Sequence, residues 1–77
     1  MVRLYPNPTT GVLKINNEEK VQIAIYDVLG KQLVRNSLDS GLNQVDLSSF
    51  ISGVYFVKVQ LLNNPVGGVK TYRIIKQ

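Results

Sequence analysis

The sequence predicts an all-β fold, an antiparallel sandwich or barrel of about six or seven short strands. Three observations carry that expectation. Apolar residues recur with a period of two, and helical spacing is hard to find. Turn-forming residues interrupt these runs at intervals of about 10 residues. Within the runs, β-branched and aromatic residues dominate, the types that fit a pleated, half-buried surface.

Taken in order, the first element is Leu4-Tyr5-Pro6-Asn7-Pro8-Thr9-Thr10-Gly11. Each proline fixes φ, removes an amide donor and biases the preceding residue, Tyr5 or Asn7, toward extended geometry. Gly11 is suited to a positive φ, so the stretch reads as a stiff lead-in ending in a turn. Leu13 and Ile15 then share one face of a strand, and Asn16-Asn17-Glu18-Glu19 reads as a polar hairpin turn. In Lys20-Val21-Gln22-Ile23-Ala24-Ile25-Tyr26 the residues Val21, Ile23 and Ile25 face one way. Asp27-Val28-Leu29-Gly30 is expected to form a short hairpin loop with Gly30 left-handed.

Asp39-Ser40-Gly41 marks another break, and Leu47-Ser48-Ser49-Phe50-Ile51-Ser52 is the segment most suited to a short helical turn. From Gly53 to Leu61, Tyr55, Val57, Val59 and Leu61 point one way, with Lys58 and Gln60 on the wetter side. Asn63-Asn64-Pro65-Val66-Gly67-Gly68 is the longest break, and the run from Val69 to Lys76 closes the chain as a strand. The four tyrosines (Tyr5, Tyr26, Tyr55 and Tyr72) are expected at core edges, with their hydroxyls in water.

Seventy-seven residues make one domain, 1–77, and a chain of this size buries only about 60% of the surface it exposes unfolded. With no cysteine, neither a disulfide framework nor thiolate-bound zinc can support it, so the apolar core must suffice. No apolar run approaches the roughly 18 residues of a membrane-spanning helix. The start, Met1-Val2-Arg3-Leu4, lacks the regions of a secretory signal peptide. Either the protein is cytosolic or the chain is a fragment whose signal lies upstream, and a Met directly before a strand-like run favours the fragment. The net charge of +4 arises from cations scattered along the chain, which reads as solvated strand faces and not as a nucleic-acid footprint.

Catalysis finds little support in these residues. Without histidine or cysteine there is no Ser/His triad and none of the common transition-metal sites. The carboxylates Glu18, Glu19, Asp27, Asp39 and Asp46 lack the paired placement of a glycosidase, and Asp39-Ser40 is too sparse for calcium. Gly67-Gly68 lacks the motif of a phosphate loop. The expectation is therefore a non-catalytic domain with no cofactor and no metal.

Four stretches, in this order and spacing, resemble one family. They are Tyr5-Pro6-Asn7-Pro8-Thr9-Thr10-Gly11, then Val21 to Tyr26 leading into Asp27-Val28-Leu29-Gly30-Lys31, then Leu47 through Val59, and finally Thr71-Tyr72-Arg73-Ile74-Ile75-Lys76. Together they resemble the type A C-terminal sorting domain of the type IX secretion system (Por secretion system) of Bacteroidetes. Ile51-Ser52 departs from the Pro-Ala common in the family before the glycine of the third motif.

The resemblance implies a small immunoglobulin-like antiparallel β-sandwich of about seven short strands. It also implies a secretion signal that takes an upstream, covalently continuous cargo domain from the periplasm across the outer membrane to the cell surface or beyond. The expected partners are the translocon and a sortase-like surface protease that removes the domain. Neither nucleic acid nor direct membrane insertion is expected, while strand edges leave a weak homodimer open.

Carried over by position, the sorting-motif residues are Tyr5, Pro6, Asn7, Pro8, Gly11, Asp27, Gly30, Gly53, Tyr55 and Lys58. The C-terminal recognition strand comprises Lys70, Arg73, Ile74, Ile75 and Lys76. With basic side chains on one face, that strand would offer an accessible sheet edge to a receptor by β-augmentation, or would simply resist aggregation. The rival readings are an immunoglobulin-like or carbohydrate-binding accessory module of a surface enzyme, and a basic nucleic-acid-binding barrel.

Overall fold

The computed structural model describes residues 2–62 and 68–77. Among them are seven strands: β1 (Val2–Tyr5), β2 (Val12–Asn17), β3 (Val21–Tyr26), β4 (Gln32–Leu38), β5 (Gly41–Asp46), β6 (Gly53–Leu61) and β7 (Val69–Lys76). They form two antiparallel sheets, ordered β1-β2-β5 and β4-β3-β6-β7. This is an immunoglobulin-like sandwich in which the fourth strand has joined the sheet of the third, sixth and seventh.

The period-two pattern accounts for the core. Leu13 and Ile15 of β2 face Val21, Ile23 and Ile25 of β3 and Val57 of β6, and all six are fully buried. Each such side chain contributes roughly 1.5–3 kcal/mol through burial. Tyr55, Val59 and Ile74 extend this layer, Leu38 and Leu47 close it, and Leu61 packs half-buried against it.

The Asp27–Gly30 hairpin forms as expected, with Gly30 at φ 86°. The Asp27 carboxylate accepts from the amides of Leu29 and Lys31, both at 2.9 Å, and Gly30 N–H donates to Asp27 C=O at 3.1 Å. An aspartate that satisfies its own turn in this way is why the loop is so short.

Several expectations are corrected. Asn16 and Asn17 belong to β2, so the turn there is confined to Glu18 and Glu19. That turn carries the chain from one sheet to the other and makes no hairpin, as does the break at Asp39 and Ser40. Gly11 has no positive φ; among the described glycines only Gly30, Gly41 and Gly53 do. Gly11 instead lies buried beside Ser48, whose Cβ would stand 3.5 Å from a Cβ placed there.

The stiff opening segment follows the first strand, since β1 has already ended at Tyr5 when the prolines begin. Both of its Xaa-Pro bonds, Tyr5-Pro6 and Asn7-Pro8, are cis. Residues 47–52 form a hydrogen-bonded turn, Phe50 N–H to Leu47 C=O at 2.9 Å, with no helix. Of the tyrosines, Tyr55 is buried and Tyr72 packs half-buried against the core. Tyr5 is exposed and Tyr26 faces outward from the sheet. The long break at Asn63-Asn64-Pro65-Val66-Gly67 lies outside the described residues.

Candidate functional site

The registers bring the four motif stretches to one end of the sandwich. There β3 ends beside the start of β6, with Tyr26 opposite Phe56, and the start of β6 lies beside the end of β7, with Gly53 opposite Lys76. The beginning of β2 meets the end of β5, with Val12 opposite Asp46. Residues 47–52 cross between the sheets over this same end, and residues 6–11, which join β1 to β2 within one sheet, reach β7 of the other there.

The opening segment binds the last strand directly. The Asn7 side-chain amide donates to Arg73 C=O at 2.9 Å, and its carbonyl oxygen accepts from Ile75 N–H at 2.9 Å. Two residues on, Thr9 N–H donates to Ile75 C=O and Thr9 C=O accepts from Gln77 N–H, both at 2.8 Å, in a parallel bridge. Asn7 and Thr9 therefore act as a short extra strand, built half from a side chain and half from backbone. Their partners lie 66 and 68 residues away for Asn7. Pro6 and Pro8 flank Asn7, and neither ring nitrogen has a hydrogen to donate.

This pairing corrects two expectations about the final strand. Its outer edge is not open along residues 73–77, because Asn7 and Thr9 occupy it. Its cations do not share a face: Lys70 and Lys76 alternate in step with the core-facing Tyr72 and Ile74, whereas Arg73 points outward. Ile74, 1% exposed, is a core residue, and Ile75 is half-buried on the outer face.

Thr9 is the residue that sequence reasoning missed. It is 1% exposed; its hydroxyl donates to Val12 C=O at 2.7 Å and accepts from Gly11 N–H at 3.2 Å. Gly11 C=O in turn accepts from Leu47 N–H at 2.7 Å, tying the opening segment to the loop before β6. Nothing local marks Thr9, because its burial depends on β7.

The third motif closes the corner. Tyr55, near the start of β6, donates its hydroxyl to Ile51 C=O four residues upstream at 2.6 Å, the tyrosine corner of immunoglobulin-like sandwiches. Phe50 packs on its ring with centroids 5.3 Å apart. The Asp46 carboxylate accepts from Ser48 N–H at 2.9 Å. Hydrogen bonds from the Ser48 side chain and backbone hold the Asp46 pKa below the usual carboxylate value.

Gathered here are Tyr5, Pro6, Asn7, Pro8, Gly11, Asp27, Gly30, Gly53, Tyr55, Arg73, Ile74, Ile75 and Lys76. Two predicted residues are not: Lys58 lies midway along β6 beside Ala24, and Lys70 pairs with Val59 toward the opposite end. Apolar side chains are also exposed at this end, with Leu29 at the hairpin tip 90% and Ile51 83% accessible. What the arrangement offers is a shaped surface assembled from both ends of the domain.

A family model described as a secretion system C-terminal sorting domain matches residues 3–76. No curated protein matches the chain.

Proposed function

The chain belongs to the family of type IX secretion C-terminal sorting domains, and from that membership we propose that it is read, in its folded form, as the export signal of an upstream cargo. Such a signal implies export to the cell surface or the extracellular space and engagement with the type IX machinery as part of a cargo protein. In finer terms, the cargo waits in the periplasm, crosses the outer membrane through the translocon, and is then cut from this domain by a sortase-like surface protease. Attachment to the surface or release follows. The domain is the substrate of these steps and performs no chemistry.

One observation carries the reading of a folded signal: the opening segment at Asn7 and Thr9 is hydrogen-bonded to β7 at Arg73, Ile75 and Gln77. A surface made from both ends exists only when the whole domain has been synthesised and folded. Reading it would export finished cargo and leave incomplete chains behind. In this proposal Tyr5, Pro6, Asn7, Pro8, Arg73, Ile75 and Lys76 form the surface that is read. Gly11, Asp27, Gly30, Gly53, Tyr55 and Ile74 hold it in shape, and Lys58 and Lys70 lie away from this end of the sandwich.

The test is export of a fluorescent reporter targeted to the periplasm and joined through a flexible linker to residues 1–77, in a bacterium carrying the type IX system. The reporter is expected outside the cell, and in the periplasm of a strain lacking the translocon. Retention of the folded fusion in the translocon-bearing strain would overturn the proposal and return attention to an accessory binding module.

A further inference from the structure

The outer face of the β4-β3-β6-β7 sheet is chemically one-sided. Across its middle, the register aligns Arg35, Ala24, Lys58 and Thr71 on the four strands. Ala24 is small and 9% exposed, so the side chains around it leave a shallow depression of about 110 Å³. Arg35 and Lys58 stand on either side, with Gln22 and Gln60 completing the rim. With the Gln22 amide turned to accept, Arg35 Nε and Nη2 lie 2.8 and 3.1 Å from its oxygen. The guanidinium is thus steadied at the edge of the depression and keeps donors to spare.

No outward position of this sheet carries Asp or Glu among the described residues, while Arg35, Lys58 and Arg73 all point outward. Arg35 and Lys58 sit two strands apart, about 9.5 Å at the backbone. Their flexible arms can both reach an anion resting over Ala24. One row nearer the motif end, Tyr26 and Phe56 face outward side by side and half-exposed.

We propose that this face docks an acidic protein partner, one of whose carboxylates enters the depression over Ala24 between Arg35 and Lys58. Paired aromatics beside unopposed cations fit the apolar centre and complementary charges of a protein interface. A nucleic acid would call for cations tracking along a phosphate backbone, whereas these are spread across separate strands.

Two experiments decide the matter. In the first, the isotope-labelled domain is titrated with a soluble peptide alternating glutamate and valine, and in parallel with its lysine counterpart and an oligonucleotide. The glutamate peptide alone is expected to shift the amides of Ala24, Arg35 and Lys58. The double substitution Arg35→Glu, Lys58→Glu should weaken that response by at least about tenfold, the loss of one close charge pair. No response at Ala24, or an equal response to the other two probes, would overturn the proposal.

The second experiment rests on the sorting assignment and measures export of the fusion with the same two substitutions. Both side chains are exposed, so the variant should fold and melt as the parent does. Export should fall about tenfold, since reversing a rim charge suppresses encounter with a complementary partner. A folded variant exported like the parent would show that the machinery does not use this face, and would overturn the docking proposal while leaving the sorting function standing. If the unsubstituted fusion is itself not exported, the sorting assignment falls and the titration alone decides.

Discussion

At the motif end, the chain closes on itself through backbone hydrogen bonds between its first dozen and its last five residues. At the opposite end a buried side chain does much of the joining. Asn17, 1% exposed, donates from its amide to Glu19 C=O at 2.8 Å and to Asp39 C=O at 2.9 Å. Its oxygen accepts from the Asn43 amide at 3.0 Å. One asparagine thus ties the end of β2 to both inter-sheet turns. Lys20 adds an exposed contact to Asp39 at 3.7 Å, which contributes little in water.

The difference separates stability from recognition. At the asparagine end the joining side chain, Asn17, is itself hidden from any partner. The motif end spends backbone pairing on presenting prolines, an exposed hairpin tip and the final strand together. Substitutions at the first end should therefore lower stability and spare export wherever the domain stays folded, and those at the second should do more to export than their stability cost explains.

The largest effect should come from Asn17→Leu, which takes the side-chain donor from Glu19 C=O and one of two donors from Asp39 C=O, and leaves the Asn43 amide bonded to Asp39 alone at close range. A loss of roughly 2–4 kcal/mol in urea unfolding is expected, with normal export below the melting temperature. Export abolished in a folded Asn17 variant would break the division between the ends. Thr9→Val keeps shape and backbone pairing but strands Val12 C=O and Gly11 N–H, at a cost of about 2 kcal/mol. Here export should fall as well, since the turn from Thr9 to Val12 that positions the opening segment loses its side-chain bonds.

Gly30→Ala meets no atom within 4 Å and is disfavoured by its φ of 86° alone. Thermal unfolding should report roughly 1 kcal/mol. Asn7→Ala removes two exposed hydrogen bonds and should cost only about 0.5–1 kcal/mol, yet reduce export more than Asn17→Leu does. Equal export of the Asn7 variant and the parent would remove Asn7 from the read surface.

The smallest effect concerns acid. The folded pKa of Asp46 lies below its unfolded value, so between the two the unfolded chain binds more protons and stability rises with pH. Its contribution is full above the unfolded pKa and is lost as the pH falls through the folded one. Ser48→Ala should flatten this slope, as acid titration of the unfolding midpoint would show.

Much of the fold was legible because its causes are local. Alternation in β2, β3 and β6 set which side chains turn inward, and Asp27 and Gly30 set the hairpin through bonds within five residues. The same reasoning misread Asn17 as part of a polar turn and treated Thr9 as filler between prolines and glycine. Both are polar residues in polar surroundings, and part of what pairs with each is distant in the chain: β7 for the Thr9 backbone, Asp39 and Asn43 for the Asn17 side chain. The tyrosines divide likewise, Tyr55 into the core and Tyr26 onto the outer face, by their parity within the strand.

By itself, then, the sequence determined β2, β3 and β6 with their inward faces, the final strand, the tight hairpin at Asp27–Gly30 and the family motifs, because period and turn chemistry act over a few residues. Only the tertiary structure decided that the opening segment covers the edge of β7, that Asn17 joins two crossings, and that Arg35 and Lys58 flank Ala24. Alternation states which side a residue faces and carries no information about which strand lies next to it. That choice is made by the packing of two whole sheets around one core.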